Sequence, residues 1–247
     1  MRREKRNKLL QEISKKEPYR IMANRVQQYK EEGKSCIAFT SHEKEQGKSY
    51  IIQEVALTLA RSGYRVLLVD CNVFTGTLTT VLGHSEHLGV IDALEHISEQ
   101  AEENLALQYT HGIEENLYLM PKGGGMQTIA YERIVKSEYF SAMFKNLKPS
   151  FDYILVEVPS FEYFSYTQNI LAAMDGCILV LKAGALGIAA APALKEQLDH
   201  IGCAVLSCIL NQKEDTTCKV SRVKKGAKKE HKQKVETNTV VGEGVMM

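Results

Sequence analysis

The sequence predicts an α/β fold, a mostly parallel sheet with helices on both faces, and three observations carry that expectation. Short apolar runs recur along the chain, among them Cys36-Ile37-Ala38-Phe39, Val66-Leu67-Leu68-Val69, Tyr153-Ile154-Leu155-Val156 and Cys177-Ile178-Leu179-Val180. Such continuous runs fit strands buried on both faces. Stretches with helical spacing separate them, and that alternation is what a parallel sheet requires for its crossovers. The first run, finally, passes into Gly47-Lys48-Ser49 and then into an amphipathic helix.

Taken in order, a first helix is expected over about Pro18 to Lys30, ahead of the strand Cys36–Phe39. After the loop, Ile52, Val55, Ala56 and Leu59 fall at i, i+3, i+4 and i+7, and Gly63 supplies a stop. Arg65–Val69 follows as a strand ending in Asp70. A polar turn comes next, then Leu88–Leu94 as the start of a short helix. Asn116–Met120 reads as a strand stopped by Pro121, and Lys122-Gly123-Gly124-Gly125 as a flexible connection. A helix over roughly Ser137 to Leu147 leads to the strands Tyr153–Glu157, Gly176–Leu181 and Ala204–Leu210, with helical stretches between them. No internal repeat is evident.

The loop carries the chemistry. Backbone N–H groups and the positive end of a helix cradle phosphate oxygens, a lysine reaches the β and γ phosphates, and a hydroxyl holds Mg²⁺. Lys48 and Ser49 stand in those two places. The pattern G-x-x-x-x-G-K-[S/T] is broken at its first glycine, where His42 stands, and the interior reads Glu43-Lys44-Glu45-Gln46. His42 therefore occupies a position expected to need positive φ.

At 247 residues and 44% apolar content the chain can bury a full core. It has no long apolar segment and no signal-peptide pattern, which predicts a cytoplasmic protein. The six cysteines show no C-x-x-C spacing and are expected as buried thiols. The histidines other than His42 form no ligand-spaced set with the carboxylates. The net charge of +1 hides an asymmetry: residues 1–20 hold eight basic and three acidic side chains and residues 213–234 nine and three, against fourteen and twenty-two in residues 21–212. Basic ends on an acidic body suit contact with an anionic membrane surface or, less well, nucleic acid.

The order of motifs, from the Gly-Lys-Ser loop through Gly63–Asp70, Glu115–Tyr118, Phe151–Pro159, Asp175–Val180 and Leu210-Asn211, resembles the cytosolic bacterial tyrosine kinases of capsular and exopolysaccharide synthesis. These are related to the septum-placement and chromosome-partitioning ATPases. The resemblance implies a P-loop NTPase-like three-layer fold over residues 17–212; the basic extension before it (1–16) and the basic, disordered tail after it (213–247) are read from composition, lysine-rich and poor in apolar surface to bury. It implies ATP and Mg²⁺ as cofactors. Glu45, Gln46, Gly47, Lys48, Ser49, Tyr50 and Asn211 would bind the nucleotide, Ser49, Asp70 and Glu157 the metal, and Lys48, Asp70, Asn72 and Glu157 would form the catalytic set, with Asp70 beside the acceptor hydroxyl. It further implies a membrane polysaccharide chain-length (co-polymerase-type) protein as partner, a position at the inner face of the cell membrane, and a homo-oligomer.

This chain departs from the family at the chemistry. A subunit-packing motif Glu-x-x-Arg-x-x-Arg reads Glu17, Arg20 and then Ala23. The second acidic motif, Asp-x-Asp followed by Arg, reads Asp70-Cys71-Asn72-Val73-Phe74, so a carboxylate and a cation are missing. Glu157 stands for an aspartate, Ser160 for a proline and Glu45 for a glycine. The tail lacks the family's tyrosines, the last being Tyr166. The expected function is a nucleotide-binding, tyrosine-kinase-like protein with a weakened site. The alternatives are a non-catalytic regulatory partner of a membrane polysaccharide protein, or a partitioning-type ATPase, against which Glu43 stands where those ATPases carry a lysine.

Overall fold

The computed structural model describes residues 2–99, 105–124, 128–160, 166–184 and 191–211. Seven strands form one sheet in the order β3-β4-β2-β5-β1-β6-β7. They are β1 (Cys36–Ser41), β2 (Val66–Asp70), β3 (His111–Glu114), β4 (Leu117–Met120), β5 (Tyr153–Glu157), β6 (Gly176–Lys182) and β7 (Val205–Asn211). Every pairing is parallel except β3 with β4. This is the expected three-layer α/β architecture.

Period-two alternation divides the strand side chains between two cores. Ile37 and Phe39 of β1, Val66 and Leu68 of β2, and Tyr153 and Leu155 of β5 pack with Val26 of α1 (Arg2–Glu31) and with Ile52, Val55 and Leu59 of α2 (Lys48–Arg61). Cys36, Ala38, Leu67, Val69, Ile154 and Val156 face the other way. They meet α4 (Val90–Glu99), α5 (Thr128–Val135), α6 (Glu138–Leu147), α7 (Tyr166–Ala172) and α8 (Ala191–Ile201). A short α3 (Thr77–Val81) follows β2 at the carboxyl end of the sheet, where ligands bind in such folds.

Several expectations change. The first helix begins at Arg2 and continues through Pro18 instead of starting there. Part of the polar turn after Asp70 is α3, entered through Gly76 at φ 54°. The segment before Leu117 is an edge strand, β3, turned into β4 through Asn116 at φ 62° and broken by an irregularity between Gly112 and Glu114. Ala23, where the resembled motif has arginine, is buried against α2, while Glu17 and Arg20 pair with each other at 3.7 Å on the exposed side. An arginine at 23 would have to displace that core.

Cys36, Cys71, Cys177 and Cys203 are buried thiols, as expected, and Cys208 is partly exposed; Cys218 lies outside the described residues. The expected tail over 213–247 also lies outside the described residues, and over Lys122–Gly124 the connection is tied to α4, where Asp92 accepts from Gly124 N at 3.0 Å. Among the described residues no helix is long and apolar enough to cross a membrane.

Candidate functional site

β1 ends at Ser41, and the chain turns through residues 42–47 into α2. The turn is tight enough to need left-handed backbone at two places, and these are Glu45 (φ 58°) and Gly47 (φ 85°). The positive φ expected at His42 thus falls on Glu45, the position where the resembled family has glycine. A β-carbon in that conformation costs roughly 1–2 kcal/mol. Gly47 is constrained a second way, because a Cβ there would lie 2.3 Å from Asn211 Nδ2. That amide donates to Gln46 O at 3.0 Å, so the end of β7 is clasped to the loop.

Lys48 and Ser49 open α2 at the floor of a cavity of about 440 Å³, large enough for the phosphates of a nucleotide. Lys48 Nζ donates to Ser41 Oγ at 2.8 Å, and Ser41 Oγ donates in turn to Glu43 O at 2.5 Å. Burial holds the Lys48 ammonium below its usual pKa, and Glu157 acts in the opposite direction. Ser49 Oγ donates to Glu157 Oε1 at 2.6 Å. Glu157 is 1% exposed, and its other oxygen, Oε2, is buried with no hydrogen-bond partner. Burial, reinforced by repulsion from Asp70, pushes its carboxyl up to about 7, against the pull of Ser49 and Lys48.

The sheet register sets Asp70 directly opposite Glu157. Their side chains have different surroundings. Asp70 is fully buried: Oδ2 accepts from Thr79 N at 2.9 Å and Thr79 Oγ1 at 2.7 Å, and Oδ1 accepts from Asn72 N at 3.1 Å. Burial raises its pKa while those bonds and the nearby Lys122 lower it. Asp70, expected beside the acceptor hydroxyl and as a metal ligand, therefore has one oxygen anchoring α3 through Thr79 and the other accepting from the backbone of Asn72. The residue of that motif lining the cavity is Asn72, whose Oδ1 is buried without a partner.

The structure thus brings Glu45, Gln46, Gly47, Lys48, Ser49, Tyr50, Asn72 and Glu157 to one cavity, with Asn211 behind Gly47 and Asp70 behind α3. For a hard cation the fit is partial. Ser49 and Glu157, whose Oε2 is orphaned, bring oxygens to the residues lining the cavity, as Mg²⁺ requires, whereas both oxygens of Asp70 already accept hydrogen bonds. Among the described residues no group of three His, Cys, Asp or Glu is arranged to hold a metal ion by protein ligands alone. Mg²⁺ commonly keeps waters and substrate phosphates in its shell, so two protein oxygens suit it.

Three site residues escape a reading of the motifs: Ser41, which holds Lys48; Thr79, which clamps Asp70; and Ser160, whose buried Oγ lines the cavity unpartnered. Only Ser160 carries a signal in the sequence, as the position after Pro159 where the resembled family has a second proline.

A model of the AAA domain family AAA_31 matches residues 34–228. The chain is 26% identical over 229 residues to "Tyrosine-protein kinase CpsD" of Streptococcus agalactiae, covering 92% of this chain and 96% of that protein. Its fold matches the crystal structure of the VpsO kinase domain with a TM-score of 0.70 at 19% identity, over 84% of this chain and 98% of that one. It also matches the septum site-determining protein MinD of Pyrococcus horikoshii, solved with Mg-ADP, with a TM-score of 0.57 at 20% identity over 73% and 71% of the two chains. With the loop, the sheet order and the family match in agreement, the chain belongs to the AAA domain family and is a homologue of capsular tyrosine kinases.

Proposed function

We propose that this chain is a nucleotide-binding, tyrosine-kinase-like protein of capsule or exopolysaccharide synthesis that takes Mg²⁺ and ATP into the cavity at the head of α2. The observation that carries the proposal is the constellation of Lys48, Ser49 and Glu157 on one cavity floor. Lys48 leaves Ser41 to meet the β and γ phosphate oxygens, and the N–H groups at the start of α2 hold the remaining charge. Ser49 and Glu157 supply oxygens to the cation, which when bound neutralises phosphate charge. Asn72 presents an amide to the acceptor hydroxyl. An amide orients that hydroxyl but does not take its proton, so transfer is slow compared with a site bearing a carboxylate there.

That same amide favours a second reading, a non-catalytic partner that binds nucleotide and regulates a membrane polysaccharide protein. Either way we place the chain in the cytoplasm, at the inner face of the membrane, against a co-polymerase-type partner. The deciding experiment is calorimetric titration of ATP with and without Mg²⁺, alongside phosphoryl transfer to a tyrosine-containing copolymer. Lys48→Ala should weaken binding at least about tenfold, as loss of a buried charge-assisted contact. Unchanged binding in a folded variant would overturn the site, and binding without transfer would select the second reading.

A further inference from the structure

Outside the nucleotide cavity the fold gathers three imidazoles. His84 and His87 stand in the turn that follows α3, and His111 opens the edge strand β3. The ring centres of His84 and His87 lie 4.8 Å apart, those of His87 and His111 4.7 Å, and those of His84 and His111 6.1 Å. None of the three lines the cavity at the head of α2. His87 is exposed and the other two are half-buried, so bringing the rings together gains little from apolar burial. Three groups that can each take up a proton also repel one another once charged. A shared cation in place of those protons removes that repulsion.

Two of the rings are already set for such a role by backbone carbonyls. His84 Nδ1 lies 2.6 Å from Leu82 O, and His111 Nε2 lies 2.9 Å from Leu88 O. A carbonyl oxygen has no proton to give, so each of these nitrogens carries the hydrogen and donates it. In the neutral ring the lone pair then sits on the opposite nitrogen, Nε2 of His84 and Nδ1 of His111. Metal-binding histidines are held in this manner, one nitrogen donating to a backbone oxygen or carboxylate while the other meets the ion. Among the described residues the His87 ring makes only ring contacts, to His84 and His111, so no hydrogen bond fixes its direction.

The spacing suits one ion. Imidazole nitrogens lie about 2.0–2.1 Å from a bound Zn²⁺ and the ring centre about 1 Å beyond, so three imidazoles around a tetrahedral ion set their centres roughly 5 Å apart. As the rings lie, no three His, Cys, Asp or Glu among the described residues are arranged to hold a metal ion, so one ring has to turn. His87 is the one free to do so. Rotation about its χ2, a broad torsion, swings the nitrogens while leaving the ring centre nearly in place.

We propose that His84, His87 and His111 bind a divalent transition-metal ion of the zinc class, and that the ion ties the turn after α3 to β3. Imidazole nitrogen selects such ions over Mg²⁺ and Ca²⁺, which prefer oxygen, so this site and the nucleotide cavity draw on different cations. A fourth position is left to water. The turn is in turn bonded to α3, because His84 N donates to Thr79 O at 3.0 Å, and Thr79 is the residue that holds Asp70. An ion on the three rings therefore braces α3 from outside the nucleotide cavity.

The test titrates the full chain with Zn²⁺ by calorimetry, without nucleotide and with excess Mg²⁺ present, and repeats the titration with Co²⁺ to read its absorption spectrum. One ion per chain is expected, with a nitrogen-ligated d–d band and no thiolate charge-transfer band. His87→Ala and His111→Ala should each weaken binding at least about tenfold, whereas His200→Ala, on α8, should leave it unchanged. His111→Ala also removes the bond to Leu88 O, so His87→Ala, which removes no hydrogen bond, is the decisive variant. Absence of binding, equal affinity in His87→Ala, or a thiolate band overturns the site. The brace has its own readout: saturating Zn²⁺ should raise the thermal midpoint of the wild type and not that of His87→Ala. A bound ion that leaves the midpoint unmoved overturns the brace.

Discussion

Glu157→Gln separates what the cavity does for stability from what it does for binding. In the wild type a carboxyl that ordinarily titrates at 4.5 is pushed up to about 7, chiefly by burial. That rise corresponds to about 3 kcal/mol, with the folded state favouring the protonated form. Because the folded pKa is raised, this stabilisation is complete below 4.5 and is lost as pH rises through about 7. Glutamine is neutral throughout and still accepts the Ser49 hydrogen bond through Oε1. The variant should therefore match the wild type near pH 5 and exceed it by roughly 1–2 kcal/mol at pH 8, the remainder being offset because Lys48 loses its carboxylate neighbour. Urea denaturation from pH 5 to 8 without nucleotide measures this difference. Calorimetry should show the opposite for Mg²⁺-dependent ATP binding, which weakens in the variant and, in the wild type, falls as pH drops through 7. A stability difference that is flat with pH, or that grows toward acid, would refute the description of Glu157 as a buried carboxyl strained by desolvation.

Gly47→Ala places a β-carbon 2.3 Å from Asn211 Nδ2 in left-handed backbone, so it should cost about 1–2 kcal/mol in urea denaturation and weaken ATP binding by freeing β7 from the loop. An unchanged midpoint would contradict the clasp. Asp70→Asn turns an amide N–H₂ toward groups that already donate, Thr79 or Asn72, and should destabilise the fold by about 2 kcal/mol even without nucleotide. A variant that loses only turnover would return Asp70 to a purely chemical role. Truncation after Lys213 should leave thermal stability nearly unchanged while abolishing sedimentation with anionic liposomes at low salt, because it removes most of the excess of six positive charges carried by residues 213–234. Liposome binding that survives truncation would assign the contact elsewhere.

Much of the fold was legible because its central strands are buried on both faces and so write themselves as unbroken apolar runs. β1, β2, β5 and β6 fall within two residues of where those runs place them. β3 was not legible. It is four residues long, antiparallel, at the edge and irregular, and its alternating exposure over His111–Glu114 is too short to distinguish from a loop. The site divides along the same line. Gly47-Lys48-Ser49 is a local motif whose geometry follows from strand, turn and helix. Asp70's engagement with Thr79, nine residues on, depends on how α3 folds back, and no spacing rule announces it. Contacts between elements stayed hidden likewise: His111 lies well beyond His84 and His87 in the chain, yet the three rings gather with centroids 4.7–6.1 Å apart where the chain after α3 meets β3.

The departures from the resembled family also act in different states of the protein. Glu45 sits in left-handed backbone in the fold itself, so its cost belongs to the fold and is removable by glycine. Asn72 leaves the ligand-free protein undisturbed except for one orphaned oxygen, and its missing charge matters only when a cation or a phosphoacceptor is there. Asp70 remains because α3 hangs on it. Loss of catalytic function could therefore leave that aspartate in place, and its presence says little about turnover; the balance between Asn72 and Glu157 on the cavity wall is what sets the chemistry this chain can perform.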